Sequence, residues 1–441
     1  MKVSVIGTGY VGLVTGTCLA SLGHHVICAD SCQEKIDGLI QGEIPFWEHG
    51  LEKLVEDGLS KGTLTFTTDL ALAIRSSDLI LLCVGTPSLY NGEANLSSLW
   101  SVISQVEKYS EGRKFLVVKS TVPIGIGDEI EYKLQQKEHA PYVIDVISNP
   151  EFLREGSGIH DFFNPDRIII GSHSPESRNV METLYDGIMA PLFYCQRKEA
   201  EMIKYASNSF LAMKISYINM IASLCEQVET DVTIVAEGMG SDSRIGSAFL
   251  QAGLGYGGSC FPKDLSAFWN QALDRGEEFP LLAATQWINQ QQPIKVVEKI
   301  QNNLGYSLKG IKIALLGLTF KPMTDDIREA PSLSLSRLLL KEGADIQAYD
   351  PFVRDYPIKE VQLFPDLYEA VANCDVVVFV TEWPSFRHIL WDEVAKQMKG
   401  NLLIDGRNIF PLNDMKNIVD IYGFIYDSIG RPLISRSSYE D

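Results

Sequence analysis

The stretch GYGGSCFPKDL, residues 255–265, sets a single cysteine between a run of glycines and a Pro-Lys-Asp turn. Glycines let backbone approach a bulky group, and Pro262 suits the first turn of a helix. Cys260 then stands just ahead of a helix N-terminus, whose partial positive charge, with Lys263 close by, favours a thiolate. On these residues alone Cys260 can be a small packed side chain, a redox thiol or a nucleophile. Lys204 and Asn208 are four apart in a helical stretch and share one face. A lysine and an amide so placed can stabilise an oxyanion, or they can be ordinary surface residues. SNPEFLREGSGIHDFFNPDRIIIG (148–171) offers Glu151 and Glu155 around a turn. Either can act as a base or position a water, and both can equally be solvated carboxylates at a helix start. GTGYVG supplies Gly7, Gly9 and Gly12 between an apolar run and a helical one, with Asp30 closing the next apolar run. That pattern fits a dinucleotide: the glycines allow a tight turn and close approach of pyrophosphate, and the helix N-terminus attracts it. Asp30 would bond the ribose hydroxyls and repel a 2'-phosphate, which favours NAD over NADP, while Lys35 five residues on could tolerate that phosphate.

The elements that must position these residues follow from hydrophobic periodicity. KVSVIG, HHVICAD, DLILLCVGTP (78–87) and KFLVVKSTVP (114–123) are continuous apolar runs ending in polar turns, and a helix is expected over about Val11–Leu22. Repeated strand-helix-strand units predict a doubly wound parallel sheet with its ligand at the carboxyl ends of the strands. From about Lys198 to Glu229 the periodicity is helical without Gly or Pro, longer than an ordinary helix, and able to join domains or pair with a second copy. A second α/β block starts at GIKIALLGL (310–318): GADIQAYDP echoes GHHVICADS, CDVVVFVTEW echoes SDLILLCVGTP, and NLLIDGRN echoes the strand near 116. GLTFKP replaces the glycine fingerprint there, so only the first copy is expected to bind a dinucleotide in the usual way. The expected fold is therefore α/β, two Rossmann-like parallel-sheet domains joined by a long central helix and a helical middle domain. The expected boundaries are 1–197, 198–300 and 301–441.

Composition bounds the partners. With 441 residues, 45% apolar and 22% charged, the chain is globular and too long for one core. A net charge of −19 argues against nucleic acid and anionic membranes as partners, so an anionic ligand needs a local cluster of Lys and Arg. The eight cysteines show no C-x-x-C and no zinc-like spacing with the seven histidines, so no metal is expected and reduced thiols in a cytoplasm fit best. The opening glycines sit at ordered spacing with no small-residue cleavage site, which argues against a signal peptide, and no apolar run is long enough to span a bilayer.

GTGYVG, CVGTP, KSTVP, NPEFLREG, KYASNSFLAMKISYINMIA, GYGGSCFPKD and GLTFKPMTDDIRE stand in the order seen in nucleotide-sugar 6-dehydrogenases. The chain resembles the UDP-glucose/GDP-mannose dehydrogenase family over nearly its whole length. The resemblance implies oxidation of a primary alcohol to a carboxylate with two NAD+ used in turn and no release of the aldehyde. KYASNSFLAMKISYINMIA and FLQAGLGYGGSC look more like the members acting on UDP-glucose than those acting on UDP-N-acetylmannosamine or GDP-mannose. By position, Cys260 matches the nucleophile that forms a thiohemiacetal and then a thioester. Lys204 and Asn208 match the pair that stabilises oxyanions, Asp264 a residue that orients water and Lys204, Glu155 the base for hydrolysis, and Thr121 the residue beside that water and the cofactor. For the cofactor the resemblance adds Val11, Lys35, Thr86, Lys263 and Arg328 to Asp30, Thr121 and Glu155. For the UDP-sugar it points to the turn Glu151, Phe152, Leu153, Arg154 and Glu155, with Lys204 and Asn208. It adds the loop Phe249, Leu250, Gln251, Ala252 and Gly253, then Gly257, Lys321 and Arg407, and Arg244 reaching over from a second copy in a homodimer. Two other readings stay in view. A two-electron NAD dehydrogenase with a structural Cys260 leaves the second sheet unexplained, and an NAD-sensing scaffold has no need of Lys204, Cys260 and Asp264 together.

Overall fold

A computed structural model describes residues 1–137, 139–305 and 307–436. The chain divides into two compact units, Met1–Ser207 with Ser266–Glu278, and Asn208–Leu265 with the chain from Phe279 on.

The first unit is built on eight strands: β1 (Lys2–Ile6), β2 (His25–Ala29), β3 (Leu64–Thr67), β4 (Leu79–Leu82), β5 (Gly112–Val118), β6 (Tyr142–Ser148), β7 (Ile168–Gly171) and β8 (Leu192–Cys195). They lie in the order β3-β2-β1-β4-β5-β6-β7-β8, parallel except where β7 meets β6. The first six strands thus have the doubly wound order of a dinucleotide fold. The strands are apolar along their length because helices cover both faces. Val3, Val5, Leu79 and Leu81 enter one core with Leu13 and Leu19 of the helix Tyr10–Ser21, while Ile80, Leu82, Leu116 and Val118 enter the other with Ile103 and Ile130. That helix packs tightly on β2 because Gly16 carries no side chain, and a Cβ there would lie 2.5 Å from Cys28 Sγ.

The second unit repeats the plan. β9 (Lys312–Leu316), β10 (Asp345–Tyr349), β11 (Val361–Leu363), β12 (Val376–Phe379), β13 (Leu402–Asp405) and β14 (Ile425–Ser428) form an all-parallel sheet in the order β11-β10-β9-β12-β13-β14. Alternate residues again divide between two cores, Ile313, Leu315, Val376 and Val378 on one side and Ala314, Leu316, Val377 and Phe379 on the other. The expected echo between the two ends of the chain is therefore an echo of topology. The expected long helix spans Arg197–Gln227, 31 residues, and Val232–Gly240, Phe261–Leu273 and Pro280–Leu304 make the rest of the middle helical. Residues 198–300 are shared between the two units. Among the described residues no helix is long and apolar enough to cross a membrane.

Candidate active site

In the first unit, Gly7 sits at φ +98° just after β1, and its N–H donates to Ala29 O at 2.8 Å. A Cβ on Gly12 would lie 1.8 Å from Gly7 O, so only glycine lets the helix start so close to the turn, whereas a Cβ on Gly9 meets nothing within 4 Å. The helix Tyr10–Ser21 begins with no side-chain cap and no acidic residue in its first turn, leaving its N–H groups for an outside acceptor. Asp30 Oδ2 accepts from Thr8 N (2.8 Å), Thr8 Oγ1 (2.9 Å) and Lys35 Nζ (3.0 Å), and Oδ1 accepts from Cys32 N (3.0 Å). Burial pushes the Asp30 carboxyl up, but these donors outweigh it and hold it below the usual carboxylate range. An open glycine turn, an uncapped helix N-terminus and an ionised Asp30 together fit a dinucleotide. Thr86 Oγ1 donates to Thr121 O at 2.8 Å, joining the loops after β4 and β5.

Glu151 and Lys204 meet in the same unit. Lys204 Nζ donates to Glu151 O at 2.6 Å and to Glu151 Oε1 at 3.0 Å, and both side chains are buried. Glu151 Oε2 accepts from Leu153 N at 2.6 Å, which folds the turn onto its own carboxylate. Burial alone would raise the Glu151 carboxyl; the Lys204 ammonium, the Leu153 N–H and the Lys119 ammonium reverse the sign and leave it below its ordinary value. The Phe152 ring lies 5.1 Å from Lys204 Nζ and 3.9 Å from the Arg167 guanidinium, and Arg154 forks onto Asp161 with a 2.7 Å bond. Glu155 is half-buried on this turn. A void of about 10 Å³, roughly one water in size, is lined by Ser120, Thr121, Glu201 and Lys204 among others.

In the second unit, Asn208 Nδ2 donates to Asp264 Oδ2 at 2.6 Å, and Lys263 Nζ donates to Asp264 Oδ1 at 2.5 Å. Cys260 is half-buried and immediately precedes the helix Phe261–Leu273, its carbonyl accepting from Asp264 N at 2.9 Å. The glycines before it are required by contact: a Cβ on Gly257 would lie 2.2 Å from Glu329 O, and one on Gly253 2.7 Å from Gly406 O. Arg407 fixes this loop to the ends of the second sheet, donating to Gly255 O and Val380 O at 2.8 Å each and to Phe320 O at 3.5 Å. Phe249 takes a left-handed φ of +64°, Leu250 and Ala252 are buried and Gln251 is exposed. Lys321 lies over the Phe320 ring, Arg328 forks onto Asp326, and Gly258 N donates to Arg328 O at 3.0 Å. Arg244 lies at the surface, forked onto Asp242.

Sequence reasoning missed several residues that shape these two regions. Tyr10 Oη lies 2.5 Å from Glu48 Oε2, 2.8 Å from Arg154 O and 3.1 Å from Gly158 N, so it ties the glycine fingerprint to the Glu151–Glu155 turn. Glu201 caps the helix Ile126–Gln135, accepting from Gly125 N (2.6 Å), Gly127 N (2.9 Å) and Ser148 Oγ (2.9 Å). Asp350, the counterpart of Asp30 after β10, is buried and fully engaged. Its Oδ2 accepts from Leu318 N (2.7 Å), Thr319 N (3.3 Å) and Trp383 Nε1 (3.0 Å), and its Oδ1 from Phe352 N (2.9 Å) and Val353 N (3.2 Å). Only partner counting in three dimensions reveals these; a lone acidic or aromatic residue carries no such mark in a sequence. Among the described residues no group of three or more His, Cys, Asp or Glu is placed to hold a metal ion.

Three family profiles tile the chain. The UDP-glucose/GDP-mannose dehydrogenase family NAD binding domain matches residues 1–189, its central domain 198–291 and its UDP binding domain 314–411. The chain is 44% identical to UDP-glucose 6-dehydrogenase TuaD of Bacillus subtilis (strain 168), covering 100% of this chain and 95% of that protein. It is also 44% identical to UDP-glucose 6-dehydrogenase of Rhizobium meliloti (strain 1021), over 98% and 100%. A solved UDP-glucose dehydrogenase from the hyperthermophilic archaeon Pyrobaculum islandicum superposes with TM-score 0.90 at 33% identity, covering 98% of each chain. With glycine turn, Asp30, Lys204, Asn208 and Cys260 all in their expected elements, this chain belongs to the UDP-glucose/GDP-mannose dehydrogenase family and carries its NAD-binding domain.

Proposed function

We propose that this protein oxidises UDP-glucose to UDP-glucuronate, with the balance R–CH2OH + 2 NAD+ + H2O → R–COO− + 2 NADH + 3 H+. The observation that carries the reading is one helix bearing two buried polar groups a turn apart, Lys204 and Asn208, each already held by a carboxylate. Bound NAD+ supplies the hydride acceptor for both oxidations. The chain's own residues do the rest. Lys204 and Asn208 donate to the sugar oxygen as negative charge develops on it, which a preorganised ammonium and amide do best in a water-poor site. Cys260, just ahead of the helix Phe261–Leu273, adds through its sulfur to the aldehyde carbon and keeps the intermediate attached. Loss of the second hydride leaves a thioester, and a water oriented by Asp264 with Thr121 and deprotonated by Glu155 cleaves it, returning the thiol. Asp30 selects NAD+, and Val11, Thr86, Lys35, Lys263 and Arg328 line the cofactor. The UDP-sugar lies against the turn 151–155, the loop 249–253, Gly257, Lys321 and Arg407, in three functional segments, 1–197, 198–300 and 301–441.

Phe210, Tyr217, Met220 and Leu224 make an exposed apolar stripe along the helix Arg197–Gln227, more than a solvated helix carries, and we assign it to a homodimer, in which Arg244 serves the neighbouring copy. All eight cysteines are free, which favours the cytoplasm. The test is a panel of nucleotide sugars with NADH counted per sugar consumed. UDP-glucose should be preferred and yield two NADH. One NADH per sugar would overturn the four-electron reaction, and preference for UDP-N-acetylmannosamine or GDP-mannose would move the substrate assignment alone.

A further inference from the structure

Lys119, at the end of β5, is a buried charge that the reaction above does not use. Its Nζ donates to Asn149 Oδ1 and to Tyr185 Oη at 3.3 Å each, both neutral acceptors, and among the described residues no carboxylate pairs with it. A buried ammonium without a direct counter-ion costs stability, so its presence calls for a compensating use. Asn149 shows what that use is. Its Oδ1 also accepts from Tyr185 Oη at 2.6 Å, its Nδ2 donates to Ile169 O at 2.7 Å, and its backbone N donates to Val118 O at 2.9 Å. Two residues later the chain reaches Glu151, the partner of Lys204. Lys119 is thus tied to the root of the turn whose carboxylate holds that lysine.

We propose that Lys119 is a positioning residue: its ammonium stands behind the Glu151 turn, steadies the Glu151 carboxylate, and through it holds Lys204 in place. The groups facing Glu151 are Lys204 from the helix Arg197–Gln227, Lys119 from the end of β5, the Leu153 N–H of its own turn, and Cys83 after β4. Burial pushes the Cys83 thiol up to about 12, so it stays neutral and adds no charge. Lys204 bonds the carboxylate directly and the Lys119 ammonium acts on it only through space, and both effects resist protonation of Glu151 as pH falls. The proposal rests on Lys204 acting on the reacting oxygen.

The experiment is the pH profile of kcat for wild type, Lys119→Met and Lys204→Ala. Glu151 must be charged to hold Lys204, so turnover falls as pH drops through its folded value. Removing a nearby positive charge raises that value, so the acid limb of Lys119→Met should move to higher pH while KM for NAD+ stays within about twofold of wild type. Lys119→Gln, which keeps a donor toward Asn149 and Tyr185, carries the same expectation if the methionine variant does not fold. In a Glu151→Gln background, substituting Lys119 should no longer move the limb. An unmoved acid limb in folded Lys119→Met or Lys119→Gln overturns the proposal, provided Lys204→Ala is slow. Normal turnover by Lys204→Ala instead removes the underlying reading of Lys204, a distinguishable result.

Discussion

At the scale of single residues, Cys260 carries the most specific claim. The sequence leaves it open among packing, redox and nucleophile, and the structure places it half-buried immediately before the helix Phe261–Leu273. Cys260→Ala should fold, with a stability loss of no more than about 2 kcal/mol, because little volume is removed. It should bind UDP-glucose and NAD+ yet form no sugar acid, and mass spectrometry of wild type in turnover should find a sugar adduct on the peptide holding Cys260. Acid production by the folded variant would return Cys260 to a packing role. The glycine turn and Asp30 were legible from their spacing between apolar runs, whereas Lys204 and Cys260 stood out only through the resemblance, their own residue types leaving a packing or surface role open. Lys119, Asn149 and Tyr185 did not, since a lysine closing an apolar strand has no periodicity that separates a buried network from a solvated end.

At the scale of elements, apolar runs and glycine turns located β1, β2, β4, β5, β9, β10, β12 and β13 because parallel strands covered on both faces must be continuously hydrophobic. What escaped notice was how the helices are held. Helix Ile126–Gln135 starts at Gly125 with no cap of its own and takes one from Glu201, far along the chain, while Arg197 binds its Asp128 and Glu131. Such caps depend on tertiary placement and have no local signature. Glu201→Ala should leave the buried Gly127 N–H, the half-buried Gly125 N–H and the Ser148 hydroxyl without their acceptor and lower unfolding free energy by about 2–3 kcal/mol, measured by urea denaturation. A loss below about 0.5 kcal/mol would show that water replaces the carboxylate easily.

At the scale of the whole molecule, the exposed stripe of the 31-residue helix is where the proposed homodimer can be tested. If the stripe is covered in that homodimer, a charge there is costly, so Leu224→Glu, at a position exposed in the single chain, should shift sedimentation toward monomer and weaken activity in dilute solution. Unchanged sedimentation would detach the stripe from self-association. The first six strands of the first sheet and the six of the second share one strand order, and this was legible from the echoes between their strand sequences, but the turns after β1 and β9 differ. After β1 a helix begins at Tyr10; after β9 the next helix waits until Pro331, and Asp350 already occupies the N–H groups of Leu318 and Thr319. The family's NAD binding domain matches the first sheet, residues 1–189, and its UDP binding domain the second, residues 314–411. If that one NAD binding domain serves both oxidations of the proposed reaction, the protein has to hold the half-oxidised sugar while its cofactor is exchanged. The lifetime of that waiting state has to exceed the time of cofactor turnover, and a covalent tether to Cys260 meets the requirement where reversible binding of a free aldehyde would let it escape.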